Sequence, residues 1–405
     1  MASHLNLVRN SRVFISSTAA NASMTAANTF EMNVLDGFSF TQTTATAEIT
    51  LSEAGQDGAR GKKSYNTARN PVDWSFTTYI RPYQRNAEAS PTTKHTSAVE
   101  KLMWEALVSP GKTSGAATDT QWIPFSEAEE LAATGGLVFD TSSSDKDVLL
   151  QLYVYFELSD GANKTYYRIN KALVNTAEID FSIDGIAQVA WSGQGETLEE
   201  VTLTEMPTSG VNKFMPIHTG TGSTTVPGIG ATAITQKVYE PQFIRNKLST
   251  VTLKDNTTSK YYNIVLTGGS LSLDNGVTYL TPDELGVVNT PIGGFTGTRS
   301  ISGSMNCYLR SGGSGAGTSS DPYDSSKLIS DLLAATTTTD NSFELVMSMG
   351  GSIAPKVDFT FAQAQLEVPS IDVADVISTT VNFIAEGSAI TTPDEMTVKY
   401  LATQI

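Results

Sequence analysis

At 405 residues the chain is too long for one ordinary hydrophobic core, so two domains are expected. Hydrophobic residues at 40 % with 8 % aromatics exclude a wholly disordered chain. The formal charge of −16, from 26 Lys and Arg against 42 Asp and Glu, excludes a surface that grips nucleic acid, which needs clustered basic side chains to neutralise phosphates.

Cys307 is the only cysteine, which rules out an intrachain disulfide and a four-cysteine metal site. Residues 1–10 lack the apolar run of a secretory signal, and no segment has membrane-spanning length. Synthesis in the cytoplasm with no membrane segment is therefore the expectation.

In chain order, residues 12–16 (RVFIS) read as an opening strand after Val8-Arg9-Asn10. Residues 37–51 (GFSFTQTTATAEITL) and 72–81 (VDWSFTTYIR) alternate with period two and read as a long hairpin. Its expected tip is the basic stretch GARGKKSYNTARNP, which holds Arg60, Lys62, Lys63 and Arg69. A short amphipathic helix is predicted over 96–108, with Val99, Leu102, Met103, Ala106 and Leu107 on one stripe and Trp104 just off it. Residues 109–147 read as a surface insertion, residues 150–154 as a buried strand, and residues 171–196 as the closing strands. Residues 206–239 are rich in Gly, Thr and Pro without periodicity, the signature of a linker.

The same order then returns. Ile244-Arg245-Asn246 precedes a strand at 249–253, and residues 301–310 (ISGSMNCYLR) match the alternation of 72–81, with Trp74 against Gly303 the one poor pairing. A helix is predicted over 325–335 with Leu328, Ile329, Leu332 and Leu333 on its apolar stripe. Residues 343–347 match 150–154, and 364–387 match the closing strands, with Ile179-Asp180 set on Ile371-Asp372 and Trp191 set on Phe383. Self-similarity of this length implies one β-rich unit used twice. The expected domains are 1–205, with the insertion at about 109–147, and 240–405, joined by the linker 206–239.

Motifs of catalysis are lacking. His4, His95 and His218 have no metal-site spacing, and Gly111-Lys112-Thr113 has alanine at 106 where a phosphate loop needs its first glycine. The glycine-rich 312–317 lies about ten residues from the next helix, too far for that helix to hold a pyrophosphate. No enzyme activity, cofactor or metal is expected.

The segments FEMNVLDGFSFTQTTATAEITLSEAG, RNPVDWSFTTYIRPY and TSAVEKLMWEALVS, with their order repeated in the second half, resemble the major tail tube proteins of long-tailed bacteriophages. The resemblance implies an α+β, mostly β fold: two tandem tail-tube-like β-sandwich or barrel domains, each with a long β-hairpin and one packed helix. It further implies a virion tail subunit whose rings stack into a hollow channel for DNA ejection. The family's commoner subunit has one domain, so a two-domain chain implies a homotrimeric, pseudo-hexameric ring. Partners implied are further copies of the chain and other tail proteins such as the tape measure, the terminator and a sheath. DNA would pass without specific binding. Thr44, Thr46 and Glu48 are the expected lumen-facing residues, and Arg60, Lys62, Lys63 and Arg69 the expected ring-stacking loop. A capsid decoration protein or a β-rich adhesin is the alternative class.

Overall fold

The computed structural model describes residues 5–19, 24, 29–35, 37–50, 62–87, 90–108, 112–113, 122–123, 137–141, 150–206, 242–281, 291–311, 315–334, 342–372 and 376–402. The chain is mostly β. The first half holds β1 (Arg12–Ser16), β2 (Thr29–Met32), β3 (Ser39–Thr50), β4 (Lys62–Tyr79), β5 (Pro82–Ala87), β6 (Ser90–Ala98) and α1 (Lys101–Leu107). It continues with β7 (Lys112–Thr113), β8 (Trp122–Ile123), β9 (Leu137–Asp140), β10 (Leu152–Ser159), β11 (Lys164–Ser182), β12 (Gln188–Gly195) and β13 (Thr197–Glu200). The second half holds β14 (Thr250–Asp255), β15 (Tyr261–Asn263), β16 (Leu266–Asp274), β17 (Thr278–Leu280), β18 (Gly293–Phe295), β19 (Ser300–Tyr308) and β20 (Tyr323–Asp324). Then come α2 (Ser325–Ala334), β21 (Phe343–Met349), β22 (Lys356–Leu366), β23 (Ser370–Asp372), β24 (Ser378–Glu386) and β25 (Thr397–Leu401).

Pairing runs in parallel through the two halves. In the first, β2 pairs β1, β1 pairs β10, β10 pairs β11, β11 pairs β13 and β12, β12 pairs β4, and β4 pairs β3. In the second, β15 pairs β14, β14 pairs β21, β21 pairs β22, β22 pairs β25 and β24, β24 pairs β19, and β19 pairs β16. Each half is thus two sheets sharing one long strand. β11 serves both because it bends at Lys171, which sits at φ 48° beside a register shift against β10. Such a bulge turns the strand out of one ladder and into another.

Burial explains the sequence pattern. Val13 and Ile15 enter the main core while Phe14 joins Met24, Tyr155, Val201 and Met206 on the other face, so the centre of β1 is apolar on both faces rather than alternating. β4, β21 and β24 have one buried face and alternate accordingly. In the first half Trp74 on β4 lies opposite Gly193 on β12; in the second, Gly303 on β19 lies opposite Phe383 on β24. A Cβ at Gly193 would sit 2.5 Å from the Trp74 ring, and one at Gly303 would sit 2.6 Å from the Phe383 ring. Both halves therefore place one aromatic and one glycine across the same rung, with the strands exchanged. This accounts for the poor match of Trp74 to Gly303. It also moves β12 against β24 by two residues: Gly193, not Trp191, takes the place of Phe383, while Ile179-Asp180 stays on Ile371-Asp372.

Other expectations are corrected by the packing. Helix α1 begins only at Lys101, because Thr96 to Ala98 end strand β6, whose pairing with β5 the polar sequence did not announce. Trp104 is fully buried. In α2, Leu328, Ile329 and Leu332 are buried as predicted, but Leu333 is 67 % exposed. The segment 109–147 is more than a surface elaboration, since β9 pairs with β25 at the far end of the chain and Phe139 is fully buried. The linker lies outside the described residues apart from Met206. Just after it, residues 242–246 strap onto the first half: Gln242 donates to the Pro82 carbonyl, Ala187 to Ile244, and Asn246 to Gly185.

The halves meet at a buried polar chain. Trp104 Nε1 donates to the Tyr400 hydroxyl (2.5 Å), which donates to Glu100 Oε1 (2.7 Å). The Arg81 amide donates to the same carboxyl at 3.2 Å. Burial raises the Glu100 carboxyl to about 7, its hydrogen bonds only partly opposing the loss of water. Burial and the neighbouring Glu100 also push the Tyr400 phenol well up.

Candidate assembly surface

One sheet crosses the whole chain in the order β3, β4, β12, β11, β16, β19, β24 and the β22–β23 end. The two halves join in it where β11 pairs β16, with Ile179 opposite Leu271 and Asp180 opposite Ser270. One face of the sheet covers the core with Trp74, Trp191, Ile179, Leu271, Met305 and Phe383.

The other face is open and polar because every strand alternates. Small hydroxyls bond across it: Ser39 to Ser75 (2.9 Å), Ser270 to Ser304 (2.9 Å) and Thr176 to Ser192 (2.6 Å). Gln194 donates to Asp73 at 3.1 Å. Its charges include Asp73, Glu178, Asp180, Asp274 and Glu386. The strand segments that build the face (39–43, 72–79, 176–182, 188–194, 268–274, 300–308, 370–372 and 378–386) contain no Lys, Arg or His. The face is therefore acidic without relief, although the chain carries 26 basic residues elsewhere.

Among the described residues, the outer edges of β3 and β23 have no backbone partner. Val368, Ile371, Val376 and Ile377 stand exposed beside the β23 edge. Open edges of this kind invite another strand.

The sequence-predicted site residues lie on the β3–β4 arm. Thr44 pairs Arg69, Thr46 pairs Asn66 and Glu48 pairs Ser64. The register shifts on this arm place the extra residues on β4, so β3 alternates without interruption; Thr44, Thr46 and Glu48 share the side of Phe40 and Gln42, opposite to Ser39 and Thr41. Lys62, Lys63 and Arg69 are exposed, and Lys62 pairs Glu48 at 3.0 Å. Arg60 lies outside the described residues. The expected hairpin tip is mostly strand, because Asn70 and Pro71 fall within a bulge where proline's missing N–H costs no ladder bond. The acidic row on β4, β11, β16 and β24 was missed by sequence reading. Its signal was there in the absence of basic residues from the alternating segments 72–79, 176–182, 268–274 and 378–386.

An acidic sheet whose edge strands are open among the described residues suits a β protein that assembles with other strands. No protein-family model matches the chain. It is 32 % identical over 394 residues to the tail tube protein pb6 of Escherichia phage T5, a match that covers 96 % of this chain and 75 % of that protein. The chain belongs to the phage tail tube proteins and is a structural subunit of a virion tail.

Proposed function

We propose that three chains close into a ring of six quasi-equivalent domains, that the rings stack into a hollow tube, and that DNA leaves the virion through its lumen without being specifically bound. The open acidic face lines that lumen. The observation that carries this reading is the lack of Lys, Arg and His in the strand segments that build the face, which leaves passing phosphates nothing to pair with there. On this reading Ser39, Thr41 and Thr43 begin the lumenal row of β3, and Thr44, Thr46 and Glu48 lie behind it. The role is noncatalytic and needs no cofactor. Other tail proteins meet the assembly at its ends and along its interior, the terminator and tape measure among them, with a sheath outside in a contractile tail.

Negative-stain microscopy of the concentrated protein tests the reading: hollow tubes or three-fold rings are expected, and dispersed monomers would overturn it. Substituting Glu178→Lys and Asp180→Lys together makes assembled tubes retain duplex DNA at low salt, with retention lost as salt rises. Unchanged passage of DNA would remove the lumenal assignment. The exposed Lys62 and Lys63 are assigned to ring stacking with an acidic patch of the neighbouring ring. Lys62→Glu with Lys63→Glu is expected to leave single rings and shorten the tubes; tubes of normal length would exclude that role.

A further inference from the structure

The two halves repeat the same kind of contact at three places. Ser39–Ser75 and Ser270–Ser304 are the same open-face hydroxyl bond. Ile80 donates to Ala187 at 2.9 Å as Leu309 donates to Ile377 at 3.0 Å, closing the same strand pair at the same point. Val174 opposite Gly193 and Leu366 opposite Phe383 each precede a break in pairing, after which β11 resumes against β12 at Thr176–Ser192 and β23 takes up the same strand β24 at Ser370–Thr380. These anchors put Ser39 at the place of Ser270, Thr41 at that of Ser272, and Ile371-Asp372 at the places of Ile179-Asp180.

Within the chain, β11 presents Glu178, Ile179 and Asp180 to Ser272, Leu271 and Ser270 of β16. Among the described residues, the equivalent strand of the second half, β23, has no partner on its outer edge, and neither has β3, the equivalent of β16. Exposure shows what is missing. Ile179 is 1 % exposed in the internal joint, whereas Ile371 at the same place is 50 % exposed. Covering Ile371 with a strand carrying Phe40 would restore the apolar pair that Ile179 and Leu271 make inside the chain.

Resting on the ring reading above, we propose that β23 of one chain adds antiparallel to β3 of the next copy in a single register. Ser370 lies opposite Thr41, Ile371 opposite Phe40, and Asp372 opposite Ser39. Asp372 then takes on the acidic face the place that Asp180 holds at the internal joint. The occupant is a second copy of this chain because the mating strand already exists in it, at the opposite end of the sheet. Its neighbour would use the same pair of edges, so the contact is head-to-tail and closes by rotation.

Oxidative crosslinking in assembled tubes reads the register directly. A chain carrying Thr41→Cys and Ser370→Cys is expected to crosslink into covalent trimers, since directly opposed strand residues have the Cα spacing a disulfide needs. The native Cys307 is buried and does not compete. A chain with Thr43→Cys and Ser370→Cys, displaced by one pleat, is expected to give about tenfold less product. Hydrogen exchange on the unaltered protein supplies the second readout, with segments 39–43 and 368–372 becoming protected on assembly. Tubes in which the displaced pair crosslinks better, or in which these segments stay unprotected, overturn the register and leave the ring reading standing. Unaltered protein that forms neither rings nor tubes overturns both.

Discussion

Replacing Trp104 by alanine is expected to lower stability by about 3–5 kcal/mol, the range for deleting a fully buried large aromatic. The reason lies in what the indole touches. It stands edge-on to Trp191 at 5.0 Å, beside Phe359 at 6.0 Å and Phe139 at 6.4 Å, and donates to Tyr400. Trp191 belongs to the first half, Phe359 and Tyr400 to the second, and Phe139 to the strand that reaches across from the 109–147 segment to β25. Alanine leaves a cavity shared by both halves and deprives the Tyr400 hydroxyl of its donor. Chemical denaturation of the soluble chain measures the loss. A change below about 1 kcal/mol would mean that the halves are held together elsewhere.

A second large effect concerns pH. Glu100 has its carboxyl raised from 4.5 to about 7 in the fold. Between those values the unfolded chain gives up the proton while the folded chain keeps it, so stability falls as pH rises through that window. The contribution is fully present below about pH 4.5 and is lost above about pH 7, a difference on the order of 3 kcal/mol. Glu100→Gln keeps an acceptor for the Arg81 amide and the Tyr400 hydroxyl but has no proton to lose. Its stability should therefore vary less across pH 4.5 to 7 than that of the parent, by about that amount. Denaturant midpoints measured at several pH values check this, and parallel curves for the two proteins would refute it.

Much of the fold was legible because alternation and helical spacing report burial directly. The opening strands, the long first hairpin, α2 and the order of the closing strands follow from which positions are apolar. What was misread has physical causes that a single sequence hides. The exchange of Trp74 and Gly193 for Gly303 and Phe383 conserves volume across a rung rather than along a strand, so aligning aromatic with aromatic set β12 two residues out against β24. Polar β5 and β6 carry no hydrophobic period to betray them. The Asn70-Pro71 pair looks like a turn and is a bulge, which turned half of β4 into an apparent loop.

The assembly surface was legible in part. The long small-residue strand of β3 suggested an edge seeking a partner, and the acidic balance suggested a face that repels phosphate. Which side of β3 faces the open surface depends on the phase of one strand, and a shift of one residue exchanges the two faces. Phase is fixed by Phe40 stacking on Phe156 at 4.4 Å and by Gln42 binding the backbone of Leu198 and Glu196, contacts between residues more than a hundred positions apart. The bare edge of β23 was equally hidden, because Ile371 reads as an ordinary core residue until its neighbour strand proves to be absent.

Cryo-electron microscopy of assembled tubes tests the central claim most directly, by counting chains per ring. The account predicts three chains in each ring, with the acidic face of β4, β11, β16 and β24 turned to the channel. Six chains per ring, or a channel lined by the opposite face of the sheet, would contradict it.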